Sequence, residues 1–434
     1  MKFKCNKYII IISLIITSLL LLISHTSKSK NLNGEEELGQ EIMVSINDSL
    51  TNSLSNIPAL APLDAELEKY LEHWGIQGGS LAISRNDSLI YAKSYGWADK
   101  EACIKMEPNN LLRIASVSKL ITAVGIMSLR DQGMLKLSDP VFGKNGILND
   151  TIYNLRIKDK NYYKITVEHL LRHTAGFSNR AGDPMFSTRD IMNRFDLEQA
   201  PKSKELVSLL VGYSLPYIPG TNPAYSNLGY LILSLIIEKI SQIPYEDFIC
   251  ENILKPAKIY DMHIGGNTFE EKYPNEVKYY MHEGSELVER YDNTGILVDK
   301  CYGGNNITGL QGAGGWIASV AELSRLIASI NNYEGISDII SEDGISEMTK
   351  FISPEQYGIG WNDITEEGIW TRTGSFSGTT AIIKRYPNGE TWIFITNTST
   401  YRGPYFSKYT SSVFSRLRKS YSHLLPKRDL FQKF

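Results

Sequence analysis

Leu111-Leu112-Arg113-Ile114-Ala115-Ser116-Val117-Ser118-Lys119 is an apolar, strand-like run that gives way to an amphipathic helix ending near Gly133. Ser116 and Lys119 stand at i and i+3, and at the first turn of a helix those positions share one face. A hydroxyl is therefore expected beside an amine. The helix N-terminus adds free N–H groups and the positive end of a dipole, both suited to a developing oxyanion. A lysine withdrawn from water can lose its proton near neutral pH and serve as a base. The spacing alone is weak, because Ser27-Lys28-Ser29-Lys30 repeats it inside a polar stretch.

Two later segments add groups of the same kind. Tyr225-Ser226-Asn227 follows the turn Pro219-Gly220-Thr221-Asn222-Pro223 and opens a strongly apolar helix. A phenol there can relay a proton, and an amide can hold a substrate carbonyl or the lysine. Tyr273-Pro274-Asn275, Tyr291-Asp292-Asn293 and Tyr386-Pro387-Asn388 share the spacing without that setting. Arg372-Thr373-Gly374-Ser375 closes an expected strand. A strand-edge glycine lets substrate approach the backbone, and the Ser375 N–H is a candidate oxyanion donor. The Arg372 cation is suited to a carboxylate. Each residue also has a plain structural role open to it: a capping Ser, a packing Tyr, a charged strand end.

Further out, Ser80 to Ser84 and Leu89 to Tyr95 are strand-like, with Asn86-Asp87 as the turn between them. Ile369 to Thr373, Thr379 to Tyr386 and Thr391 to Thr396 form a second meander, its last two members joined by Pro387-Asn388-Gly389. Helical patterns at Val117 to Gln132 and Tyr230 to Ile240 lie between the two groups. The expected fold is α/β of the α+β type: an antiparallel sheet built from both chain ends, flanking helices, and an inserted helix-rich lobe at about 140–305. Asp64 is expected to cap a short helix through Trp74. Tyr405 to Ser420 is expected to form a terminal helix on the sheet through Phe406, Val413 and Leu417, before a tail at 426–434.

The 434 residues are 42% apolar, 10% aromatic and 21% charged, which fits a globular chain with a sizeable core. With 45 basic and 48 acidic residues the net charge is −3, no field for holding nucleic acid. Cys5, Cys103, Cys250 and Cys301 have no metal-ligand spacing. One bridge among the last three, or three small buried thiols, fits this pattern. Lys2, Lys4 and Lys7 precede an apolar run from Ile9 to Ile23, an export signal by composition. A cleaved signal and a retained membrane tether through residues 8–24 both fit, and the positive flank predicts an exported remainder. Residues 25–62 are expected to be a polar spacer ahead of a folded body at 63–425.

Taken in order, these segments resemble the serine β-lactamase and penicillin-binding-protein superfamily, in particular its class C β-lactamase-like and carboxylesterase-like branch. The resemblance runs from about Leu63 to Thr396 and includes Leu170-Leu171-Arg172-His173-Thr174-Ala175-Gly176-Phe177, Gly312-Ala313-Gly314-Gly315 and Tyr357-Gly358-Ile359-Gly360-Trp361. It implies a serine hydrolase acting through an acyl-Ser116 intermediate on a small-molecule or peptide-like substrate. Lys119 and Tyr225 would share the proton work. The N–H groups of Ser116 and Ser375 would form the oxyanion hole, Asn227 would orient substrate and Lys119, and no metal or organic cofactor is implied. The family's third motif usually begins with Lys or His. Here Arg372 stands in that place, and arginine cannot act as a base. That change weighs against efficient β-lactam hydrolysis more than against acyl transfer, and it suggests a carboxylate-bearing substrate. Two alternatives stay open: a DD-peptidase or transpeptidase, and a cell-wall or peptide-binding protein of the same fold without turnover. His169 and His173 stand at i and i+4, a zinc-compatible spacing, but Leu170 fills the place an acid would need and no third ligand is apparent.

Overall fold

The central strands carry apolar side chains at successive positions, not alternating ones, which requires cover on both faces. The computed structural model, which describes residues 45–180 and 182–433, supplies that cover. Its main sheet has seven antiparallel strands: β1 (Gly78–Arg85), β2 (Ser88–Asp99), β3 (Ile104–Lys105), β4 (Asp363–Ile364), β5 (Trp370–Phe376), β6 (Thr379–Arg385) and β7 (Glu390–Thr396). Their order is β3-β2-β1-β7-β6-β5-β4. β1 pairs with β7 from Gly79 opposite Thr396 to Arg85 opposite Glu390, so the sheet is assembled from the two ends of the body. Asn86 and Asp87 both have positive φ, 47° and 64°, as a two-residue turn matched to strand twist requires.

Period-two alternation splits each strand between two cores. Leu81 and Ile83 of β1, Ile382 of β6, and Trp392 and Phe394 of β7 face an outer layer. That layer is α1 (Ala61–Trp74) and the terminal helix, Phe406–Tyr421. Ala82, Ala381, Ile383, Ile393 and Ile395 face the opposite way, into the larger core shared with the helical lobe. There α2 (Ser118–Asp131) packs on α3 (Asn227–Ser241), and both are buried along most of their length. The expected α+β architecture is the one observed.

Local expectations need three corrections and one addition. Asp64 lies inside the first turn of α1 and is not its cap; Tyr95 and Lys93 each donate to it at 2.7 Å. In the terminal helix Phe406 and Leu417 are buried and Val413 is half-buried against the same core, as expected, and Phe414 joins them in full burial. The expected spacer is shorter than 25–62, since Ile46, Leu50 and Leu60 are buried against the body. The thiols of Cys250 and Cys301 are free, Cys301 is buried, and Cys103 is exposed where a buried thiol was expected. No helix among the described residues is long and apolar enough to cross a membrane, and the basic-apolar stretch before residue 25 lies outside them.

The packed N-terminal segment is held by an ionisable group. Glu322 is fully buried and accepts from the backbone N–H of Tyr260 at 3.1 Å, that of Asp261 at 2.9 Å, and Asn47 Nδ2 at 3.1 Å. Burial dominates and pushes its carboxyl up from 4.5 to about 7. The unfolded chain therefore gives up this proton earlier than the folded one. The stability it contributes is full below about pH 4.5 and is lost as pH rises through about 7. Glu322→Gln should flatten that decline, so the variant-minus-wild-type difference in melting temperature should grow more positive between about pH 5 and 7. A constant difference across that range would refute the assignment.

Candidate active site

The turn that carries Ser116 is built before the helix that follows it. The strand pair Leu112–Arg113 with Ile317–Ala318 delivers the chain to a short turn, Ala115–Val117, in which Ala115 is held at φ 48°. That left-handed conformation is costly for a residue with a Cβ, and the surroundings must impose it. Ser118 does so: its hydroxyl donates to the Ala115 carbonyl at 2.6 Å and accepts the Trp316 N–H at 3.1 Å. The side chain of Ser116 is left half-buried at the N-terminus of α2.

Three groups meet on Ser116. Tyr225 donates its hydroxyl proton to Ser116 Oγ at 2.8 Å. Lys119 Nζ lies 3.4 Å from the same oxygen. Lys119 is fully buried and also bonds Asn227 Oδ1 at 2.5 Å and the carbonyl of Ala313. Arg372 reaches the Ser116 carbonyl with Nε at 2.8 Å and with Nη2, and its Nη2 lies 3.4 Å from the Tyr225 hydroxyl. Burial pulls the Lys119 ammonium below its usual range. Burial alone would raise the Tyr225 phenol, but the Lys119 and Arg372 charges and two hydrogen bonds bring it below its usual range.

Tyr225 is set by His173, which has φ 56°. The His173 carbonyl accepts from the Ala224 N–H at 2.8 Å and its Nδ1 accepts from the Ser226 N–H at 3.1 Å. Its ring packs 4.5 Å from that of Tyr225 and 4.8 Å from that of Tyr357. Burial, then the nearby Lys119 and Arg372 charges, hold this imidazole neutral. His169 closes a capping box with Thr166 instead of facing a metal. Among the described residues no group of His, Cys, Asp and Glu has metal-site geometry.

The strand residues are divided. Arg372 is not a surface cation at a strand edge, as its sequence position suggests; it is fully buried against the turn that carries Ser116. A guanidinium committed to the Ser116 carbonyl is not presented to a substrate carboxylate. Thr373 turns away and donates from its N–H to Asn362 Oδ1 at 2.6 Å. Gly374 sits directly against the turn: a Cβ there would lie 2.3 Å from the Ile114 carbonyl oxygen and 2.8 Å from the Ser116 nitrogen. Ser375 repeats the parity of Thr373, so its N–H lies on the unpaired edge of β5. It also lines a cleft of about 540 Å³ with Arg189, Tyr291, Asn305 and Tyr401. Three participants had no signal of their own in the sequence: Asp183, which accepts from Asn227 Nδ2 at 2.6 Å; Asn362; and the Ala313 carbonyl. The last belongs to the glycine-rich segment Gly312-Ala313-Gly314-Gly315, which carries only the family resemblance in the sequence.

A family model described as Beta-lactamase matches residues 63–409. The chain belongs to the beta-lactamase family. Similar beta-lactamase-family relatives include penicillin-binding protein 4* of Bacillus subtilis, 26% identical over 330 residues, which are 74% of this chain and 68% of that protein. The putative penicillin-binding protein PbpX of the same organism is 27% identical over 52% of this chain and 50% of its own length. Among solved structures, D-amino acid amidase from Ochrobactrum anthropi SV3 has a TM-score of 0.64 at 21% identity, covering 84% of this chain and 99% of that one. The octameric penicillin-binding protein homologue from Pyrococcus abyssi has a TM-score of 0.62 at 22% identity, covering 83% and 78%. At these identities the solved structures speak for the fold alone. Both sets agree with the beta-lactamase architecture described above.

Gly374→Ala tests the apposition of β5 and the Ser116 turn. The contacts are backbone atoms that cannot rotate away, so the variant should lose about 1–3 kcal/mol of stability by denaturant unfolding. A variant as stable as the parent would mean the two segments are not in contact.

Proposed function

We propose that the protein is an exported serine hydrolase that acts through an acyl-Ser116 intermediate on an ester, amide or peptide-like substrate. The observation that carries this reading is the convergence of Tyr225 and Lys119 on one hydroxyl oxygen. A neutral lysine has two N–H protons and one lone pair. Asn227 Oδ1 and the Ala313 carbonyl are acceptors only, and they take the two protons. The lone pair is then left for the Ser116 hydroxyl proton, while Tyr225 donates to the Ser116 oxygen.

Attack of Ser116 Oγ on a carbonyl carbon forms the C–O bond as its proton passes to Lys119. The negative charge that develops on the carbonyl oxygen is received by the N–H groups of Ser116 and Ser375. Collapse breaks the bond to the leaving group, which takes a proton through Tyr225. Water, activated by the same groups, then cleaves the acyl ester and returns the proton to Ser116. Arg372 stays charged throughout, cannot act as a base, and keeps the Tyr225 phenol acidic. No cofactor takes part. The substrate binds along the 540 Å³ cleft that opens from Ser375. Export is supported by Lys2, Lys4 and Lys7 ahead of the apolar run Ile9 to Ile23. A DD-peptidase or transpeptidase is the second reading, favoured by similarity to penicillin-binding protein 4*. A binding protein without turnover is disfavoured, because the three proton-handling groups are all in place.

The test is a panel of nitrocefin, short-chain p-nitrophenyl esters and a D-Ala-D-Ala peptide, run on the full chain beside Ser116→Ala. At least one should be turned over, with a loss of about a thousandfold or more in Ser116→Ala. Activity should be present above the lowered Lys119 pKa and fall as pH drops through it. Folded protein that neither turns over any substrate nor labels at Ser116 with phosphonate and penicillin probes would refute the proposal.

A further inference from the structure

A carboxamide has one accepting end and one donating end, and the two are nearly the same size. Which end of Asn227 faces Lys119 therefore decides what the lysine can be. With the oxygen inward, Lys119 meets an acceptor and keeps its lone pair for Ser116. With the NH2 inward, that amide would donate to the lone pair and remove the base. Nothing in Asn227 itself chooses between the two.

Asp183 makes the choice available to the fold. Its Oδ2 accepts from Asn227 Nδ2 at 2.6 Å and from Asn179 Nδ2 at 3.3 Å. Its Oδ1 accepts the Met185 N–H at 3.0 Å, as the cap of the short turn Pro184–Phe186. An ionised carboxylate offers acceptors only, so Asn227 must present its NH2 to it. Asn179 Nδ2 also donates to the Tyr225 carbonyl at 3.1 Å, so the same loop braces the residue that carries the phenol. Asp183 makes no ion pair within the described residues. Its shortest hydrogen bond is to the amide that leads to Lys119.

We infer that Asp183 is a positioning residue: it locks the Asn227 amide with the oxygen toward Lys119 and so keeps the lysine competent as the base for Ser116. The inference rests on the acyl-Ser116 reading above. The groups facing Lys119 are Ser116 in the turn just before its helix, Tyr225 just ahead of α3, Asn227 and Tyr230 in the first turn of α3, Arg372 from β5, His173 from the loop after Leu171, and Asp183 beyond Asn227. Of the charged groups among these, Arg372 disfavours the ammonium and Asp183 favours it.

Asp183→Asn is the decisive variant. Asparagine also caps well, so its Oδ1 keeps the Met185 N–H and its NH2 replaces the accepting oxygen. Two NH2 groups cannot face each other, so Asn227 turns over and points its own NH2 at Lys119. The expected result is a fall in kcat of about tenfold or more with KM held within about threefold. The acid limb of the kcat profile should also move to lower pH, because a negative charge near the lysine is gone. Asp183→Ser, which keeps a capping oxygen but is too short to reach Asn227, should show the same direction with a smaller fall. Melting temperatures of both should stay near the parent. Wild-type kcat and an unmoved acid limb in Asp183→Asn would overturn the inference and leave the acyl-Ser116 reading standing. So would a fall in kcat that tracks a lower melting temperature with no change in pH profile. Wild-type protein without Ser116-dependent turnover would remove both.

Discussion

One amine out of contact with water organises this molecule. Lys119 has no solvent exposure, and a buried ammonium is expensive unless every proton is bonded. Its partners come from three separate places in the chain: Ser116 one turn back, Asn227 at the start of α3, and the Ala313 carbonyl in a glycine-rich turn. Each must arrive within hydrogen-bond distance for the burial to be tolerable. The packing of α2 against α3 and the path of residues 311–315 follow from that requirement as much as from apolar contact.

A second buried charge lies beneath the first group of residues. Arg372 is wholly enclosed, and a buried cation without partners costs several kcal/mol. Its fork closes on the Ser116 carbonyl, which ties β5 to the turn that carries the hydroxyl. The guanidinium is thus a strut as well as a source of positive potential for Tyr225. A lysine or histidine in the same place would supply charge without the two-pronged grip. In this fold the Arg372 guanidinium holds the Ser116 turn instead of lining the cleft.

The sheet makes this arrangement rigid. β5 can serve as one wall of the site because β6 and β7 behind it are apolar on both faces and clamped between two cores. β7 in turn pairs with β1, which closes the long excursion through the helical lobe. The lobe brings Tyr225 and Asn227 to Ser116 and Lys119, with His173 and Asp183 behind them. Neither half contains a site alone.

The amino-acid sequence determined the parts that depend on near neighbours. Strand and helix periods, the Asn86-Asp87 turn, and the i, i+3 relation of Ser116 to Lys119 are local properties of composition and spacing. Ordered motifs then named Tyr225, Asn227 and Arg372. Tertiary structure alone decided what each of these groups faces. Spacing could not say that Arg372 points under the turn instead of into the cleft, since both directions suit a residue at a strand end. It could not mark Asp183 or Asn362, because a single polar side chain in a loop has no period and no partner within reach along the chain. Nor could it reveal the Ala313 carbonyl, a group every residue has, whose meaning comes only from the buried amine brought against it.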